Sequence, residues 1–214
     1  MRRLFAISLA LCLLTAAIPP VSVAEMQKQI ALTFDDGPSD KYTEGILDLL
    51  ARYDIKATFF LVGSNVCISP EIVKRQAREG HELGNHTFTH PHMKDQSVGT
   101  LENELNMTSD VIYTVCKKRP TLFRPPEGVV SSTVSTAADE LGYRRVLWTI
   151  DTMDWAHRSK KEIVDTVLSE AKDGSIVLMH DYIVGESHTK EALEELIPKL
   201  IERGFAFVRV SNLK

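Results

Sequence analysis

Seven residues of this 214-residue chain carry side chains that could act together in a hydrolysis. Asp35 and Asp36 close the apolar run of "IALTFDDGPSD", His86 and His90 stand four apart in "HELGNHTFTHPH", Asp151 and Asp154 lie in "DTMDW", and His180 ends "SIVLMH". Two imidazoles and one carboxylate are a familiar ligand set for zinc, with a position left open for water. Residues four apart share a helix face, and a short turn after a strand converges them similarly. Asp36 is the natural carboxylate. Adjacent strand residues point to opposite sides, so Asp35 is free for a different task. Asp, Gly and Pro together are also ordinary turn chemistry. The placement of the other groups decides between these readings.

The elements that must position them alternate regularly. Strand patterns cover "QIALTFDD", "KATFFLVG", "HELGNHT", "TLFRPP", "RRVLWTID", "SIVLMHD" and "FAFVRVS". Helical patterns lie between them: "YTEGILDLLARYD", "PEIVKRQAREG", "TLENELNMTSDVIYTVC", "STVSTAADELG", "KKEIVDTVLSEA" and "KEALEELIPKLIERG". In the last, Leu193, Leu196, Ile197, Leu200 and Ile201 recur at helical spacing as a core stripe. Gly80, Gly142 and Gly204 follow helices where C-caps belong. Such alternation predicts right-handed βαβ units and a parallel sheet, either open or closed like a barrel. In both forms chemistry gathers at the carboxyl ends of the strands. The aspartates and histidines named above all fall there, and Arg124 joins them at the end of the fourth strand pattern. Scattered surface charges would not collect at one rim.

With that rim assembled, the sequence resembles the polysaccharide deacetylases, the NodB-homology domain of carbohydrate esterase family four. "TFDDGP", "HTFTH", "RPPEG", "DTMDW" and "LMH" occur in the family's order, and the first two at this separation are highly specific. The resemblance implies an α/β fold, a distorted, incomplete (β/α) barrel of about seven parallel strands in a single domain. It implies Asp35 as catalytic base, His180 as catalytic acid, and Asp36, His86 and His90 as ligands of a divalent metal. Zinc is the first expectation, with cobalt or manganese as alternatives. Arg124 would hold the base, Asp154 would partner His180, Trp155 and Leu178 would wall the acetyl pocket, and Asp151 would play a supporting part. The implied activity is removal of N-acetyl groups from aminosugar polymers, peptidoglycan or chitin-type chains. O-deacetylation of acetylated xylan and a carbohydrate-binding relative without catalysis are the competing readings. One position departs from the family: Glu127 stands where tyrosine is usual. The backbone N–H expected to stabilise an oxyanion is kept, while the carboxylate adds a negative charge beside the substrate groove.

The start of the chain reads as a leader. Arg2 and Arg3 precede the uncharged apolar run Leu4 to Ile18, and Ser22-Val23-Ala24 offers small residues for cleavage. Residues 1–24 are thus expected to be a signal peptide and residues 25–214 the catalytic domain, secreted or held in the cell envelope. Retention of the leader would make it a membrane anchor. The composition is that of a globular protein, 43% hydrophobic and 25% charged. A net charge of −4 without a clustered basic face argues against nucleic-acid binding. A monomer is expected. Cys67 and Cys116 are predicted to be free thiols, because one follows the second strand and the other ends the helix leading into the fourth. Those positions lie at opposite rims, roughly 17–20 Å apart for a strand of ordinary length, and a disulfide needs Cα atoms within about 7 Å.

Overall fold

In the computed structural model the described residues are 27–214; residues 1–24, expected to be a signal peptide, lie outside them. The central strand, β1 (Lys28–Asp35), is buried from Ile30 to Asp35. A run of this kind, apolar on both faces, is what a parallel strand covered on both sides requires. β1 pairs in parallel with β2 (Thr58–Leu61), β7 (Ser175–His180) and β8 (Phe205–Phe207). The sheet continues through β3 (Glu82–Asn85), β4 (Leu122–Phe123) and β5 (Arg144–Arg145) on one side, and β6 (Ile150–Asp151) on the other. The order is β5-β4-β3-β2-β1-β7-β6, and β8 occupies the first residues of β1. Helices α1 (Thr43–Arg52), α2 (Gly63–Ile68), α3 (Pro70–Arg78), α4 (Val98–Cys116), α5 (Ser132–Glu140), α6 (Lys160–Glu170) and α7 (Thr189–Glu202) fill the crossovers. The result is a curled, incomplete barrel of parallel strands in one domain.

Alternation along β1 sorts the side chains into two layers. Ile30, Leu32 and Phe34 face the helices in the main core, with Leu47, Leu50, Leu193 and Leu196. Ala31 faces the barrel interior, where Phe60, Leu122, Val146 and Val210 pack around it. Thr33 and Asp35 continue that inner row by the same alternation. The base expected from the sequence therefore belongs to the interior face.

The structure departs from the sequence pattern in three places. "RRVLWTID" is not one strand. Arg144–Arg145 pairs with β4 and Ile150–Asp151 with β7, so the two ends of one segment occupy opposite edges of the sheet. Val146 to Thr149 spans the opening between them, and the count becomes eight strands. The reason is visible at Arg124, whose Nε donates to Val146 O (3.3 Å) and Nη2 to Leu147 O (3.0 Å). Carbonyls engaged by a buried guanidinium cannot also extend a sheet. Second, the short helix α2 follows β2, where no helix was expected. Third, Ile201 is 47% exposed, whereas Leu193, Leu196, Ile197 and Leu200 are fully buried. Ile201 sits at the edge of that stripe, near the helix end. Gly80 and Gly204 have positive φ (85° and 81°), as residues just past helix ends should.

Among the described residues no helix is long and apolar enough to cross a membrane. Cys67 is exposed on α2, and the Cys116 thiol, half-buried at the end of α4, donates to Ile112 O at 3.2 Å. Titration of the denatured, unreduced protein lacking residues 1–24 is expected to find two reactive thiols per chain. Finding none in a monomer of intact mass would mean that the ends of α2 and α4 are misplaced here.

Candidate active site

The site is built from Arg124 outward. Its guanidinium is completely buried at the end of β4, with Phe60 4.2 Å and Trp148 5.6 Å from it. Nη1 donates to Asp35 Oδ1 (2.7 Å) and to Thr33 Oγ1 (2.8 Å), and the Thr33 hydroxyl donates on to Val177 O (2.6 Å). A buried arginine of this kind is tolerable only when paired and fully hydrogen-bonded. Asp35 supplies the pairing, and in return it is fixed in one orientation with Oδ2 turned toward His86 (3.8 Å).

Asp36 has φ 75°, outside the strand region. That left-handed residue cancels simple alternation, so the two aspartates do not point to opposite sides; both approach His86. Their partners still differ. Asp35 is bound by Arg124, while Asp36 Oδ1 lies 3.3 Å from His86 Nε2 and 3.3 Å from His90 Nε2. His86 Nδ1 donates to Arg124 O (2.7 Å), which in the neutral ring leaves Nε2 bare and aimed at Asp36. Asp36 Oδ1 is buried without a hydrogen-bond partner. Two acceptors facing one another in a buried place are unfavourable until a cation comes between them. Donor atoms about 2.0–2.1 Å from a tetrahedral ion stand about 3.3–3.4 Å apart. Asp36, His86 and His90, whose donor atoms all lie within 4.8 Å of one another, fit such an ion. Without an ion, burial resists the charge on Asp36, and the neighbouring imidazoles in their protonated form, His86 first and then His180 and His90, overcome it and hold its pKa at about 2.

On the other side stands His180, at the end of β7 and in register with Asp35 on β1. Its Nδ1 contacts Asp154 Oδ1 at 2.7 Å, and its backbone N–H donates to Asp154 Oδ2 at 2.8 Å. Thr189 Oγ1 and Trp155 N also donate to that carboxylate (2.7 and 3.0 Å). Burial opposes charge on His180, but Asp154, with Asp35 and Asp36 beyond it, pushes its pKa up to about 9. The raised value means that the pair stabilises the fold fully below about pH 6.5. That contribution is lost as pH rises through about 9. Asp154→Asn is expected to return the His180 pKa toward the ordinary histidine range, read by NMR titration of the metal-free protein. An unchanged value would mean that Asp154 does not hold the proton.

Asp35, Asp36, His86, His90, His180, Asp151, Glu127, Trp148, Trp155 and Leu178 line one cavity of about 480 Å³. Asp151 Oδ1 accepts from Met153 N (2.9 Å) and Trp155 Nε1 (3.4 Å), which orients the indole. Glu127 has φ 58°, and its carboxylate meets His92 Nδ1 at 2.9 Å on the rim. The two hydrogen bonds of its turn come from Gly128 N and Val129 N. His81, which flanks the motif in sequence, is remote from the cavity. It is buried, with Nδ1 accepting from Ala57 N (3.1 Å) and Phe59 against its ring. Burial pulls its pKa down to about 4.

Three contributors were not singled out in the sequence. Trp148 lies in the broken strand, and Thr33 and Thr189 carry no motif signal. Asp181 was visible in "LMHD", yet only the structure shows its partners. It is fully buried and accepts from Gly37 N (3.1 Å) and Thr43 Oγ1 (2.8 Å), anchoring the turn after Asp36. Burial pushes its pKa up to about 7.

Comparison with known proteins agrees with this architecture. A family model described as polysaccharide deacetylase matches residues 22–146. A peptidoglycan-N-acetylglucosamine deacetylase of Bacillus cereus is 42% identical over 193 residues, 89% of this chain and 90% of that protein. The peptidoglycan-N-acetylglucosamine deacetylase PgdA of Listeria monocytogenes is 40% identical over 92% of this chain, which spans only 41% of the Listeria protein. The solved structure of the peptidoglycan deacetylase PdaC from Bacillus subtilis has a TM-score of 0.81 at 41% identity, covering 88% of this chain and 90% of that one. The chain belongs to the polysaccharide deacetylase family.

Proposed function

We propose that this chain is a metal-dependent hydrolase that removes N-acetyl groups from the aminosugars of peptidoglycan. The observation that carries the reading is a base and an acid side by side on β1 and β7. Asp35 is held by a buried arginine, His180 is held as a cation by Asp154, and the His–His–Asp cluster stands between them. A divalent ion bound by Asp36, His86 and His90, zinc by preference for this donor set, supplies Lewis acidity toward the acetyl carbonyl and a water that is nucleophilic near neutral pH. Asp35 takes the proton of the attacking water, and Arg124 keeps its carboxylate aimed. The N–H of Glu127 donates to the developing oxyanion. His180 gives its proton to the sugar nitrogen as the C–N bond breaks. An amine cannot leave as an anion, so a histidine kept protonated suits an amide better than an ester. Trp155, Trp148 and Leu178 shield the acetyl methyl from water.

The names of the relatives support peptidoglycan as the substrate, and presence of the base, the acid and all three ligands supports activity over a binding role. With residues 1–24 acting as an export leader, residues 25–214 would work outside the membrane, where that polymer lies. Acetate release from peptidoglycan fragments, chitin oligomers and acetylated xylan tests the reading. Release from the aminosugar polymers is expected; release from xylan alone would overturn it.

A further inference from the structure

A second cavity, of about 460 Å³, lies back to back with the catalytic one. The turn from 125 to 129 and the consecutive residues Leu147 and Trp148 contribute to both linings. Glu127 and Trp148 line the catalytic side, while Pro125, Val129 and Leu147 line the other. Gly128, at φ 65°, seats the turn on Trp148 so closely that a Cβ there would come within 2.6 Å of the indole. Leu147 and Trp148 are consecutive, and Leu147 lines the second cavity while Trp148 lines the catalytic one. Anything held in the second cavity is therefore an immediate neighbour of a substrate in the first.

Its lining joins uncovered apolar surface to positive charge. Val130 is 65% exposed and Leu147 40%. Arg144 and Arg145 both reach the cavity. Arg145 is engaged by Ser135 and by Asp139 (3.4 Å). Arg144 is exposed and has no carboxylate partner among the described residues. Asp139 also lines the cavity and occupies Arg145, so Arg144 is the cation left for an anionic ligand, beside bare Val130 and Leu147.

We propose that this cavity takes the acidic stem peptide of peptidoglycan, with Arg144 binding a peptide carboxylate and Val130 and Leu147 covering its aliphatic side chains. The proposal rests on the reading of peptidoglycan as substrate and extends it. The peptide leaves the glycan from a sugar next to the one being deacetylated, which is the relation the two cavities have. A chitin-type chain has no carboxylate to offer Arg144, and a glycan stripped of its peptides keeps only the single carboxylate to which each peptide was joined, so the site separates peptide-bearing from naked chains.

The test uses the metal-loaded chain, one glycan fragment carrying its peptides, and the same fragment after enzymatic removal of the peptides. Arg144→Gln is expected to raise KM about tenfold on the peptide-bearing fragment, the scale of one charge-assisted hydrogen bond. It should leave kcat there, and both constants on the stripped fragment, unchanged. Arg144→Glu should weaken the peptide-bearing substrate further. The Arg144 side chain is exposed, so neither change threatens the fold. Calorimetric binding of the peptide-bearing fragment to His180→Ala, with and without Arg144→Gln, should show the same loss without turnover. Equal losses on both fragments would assign the cavity to sugar, and no loss on either would leave Arg144 without a part; each overturns the proposal. Wild-type chain inactive on both fragments would instead overturn the reading of the substrate itself.

Discussion

Asp35→Asn and His180→Ala are each expected to lower turnover by about 10²–10⁴-fold, the usual worth of a positioned general base or acid. The two losses should differ in kind. Asparagine at position 35 keeps the shape and a hydrogen bond from Arg124 Nη1, which donates to Asp35 Oδ1 at 2.7 Å, but it cannot take a proton. Alanine at position 180 removes the donor to the leaving nitrogen and strands Asp154, whose Oδ1 contacts the ring at 2.7 Å. An amide depends on that proton, so His180→Ala should retain more activity on an activated acetyl ester with a good leaving group than on an N-acetyl sugar. Asp35→Asn should impair both. If His180→Ala left N-deacetylation within a factor of two of wild type, the acid would have to be sought elsewhere on the rim.

Chelation carries the other large effect. Exhaustive removal of divalent metal should abolish acetate release, and zinc or cobalt should restore it. The geometry gives the reason: the bare Nε2 of His86 and the unpartnered Oδ1 of Asp36 face each other 3.3 Å apart, in a place where water reaches poorly. His86→Ala should lose the metal, since two of the three donors remain and one of those, His90, is partly exposed. Stoichiometry from elemental analysis checks this without an assay. Full activity in a chain shown to be metal-free would remove the mechanism.

Much of this arrangement could be read along the chain because its signals are local. Buried runs such as "IALTF" and "SIVLM" declare central parallel strands, and titratable residues that follow such runs must fall on one rim. The cluster of Asp36, His86 and His90 was legible for the same reason: His86 and His90 follow β3, and Asp36 follows β1 at the same rim. What was hidden depends on contacts distant in sequence. "RRVLWTID" has the composition of a strand, but the carbonyls of Val146 and Leu147 are taken by Arg124 from 22 and 23 residues away. The convergence of Asp35 and Asp36 on one histidine follows from a single positive φ at Asp36, which no pattern of apolar residues encodes. Thr189 reaches Asp154 from the first turn of α7, 35 residues on, and Thr33 serves Arg124 from within a strand where threonine is ordinary. Side chains that position other side chains leave little trace in sequence, because many residue types satisfy the local structure equally well.

The division of labour between the adjacent aspartates is the centre of the account, and metal content in the Asp35→Asn protein tests it most directly. Asp35 is bound by Arg124, and Asp36 alone of the two lies 3.3 Å from both histidines. Asp35→Asn and the wild type should therefore each bind one divalent ion per chain, while the turnover of Asp35→Asn falls by orders of magnitude. An Asp35→Asn protein that folds normally but contains no metal would show that the two aspartates have been assigned the wrong way round.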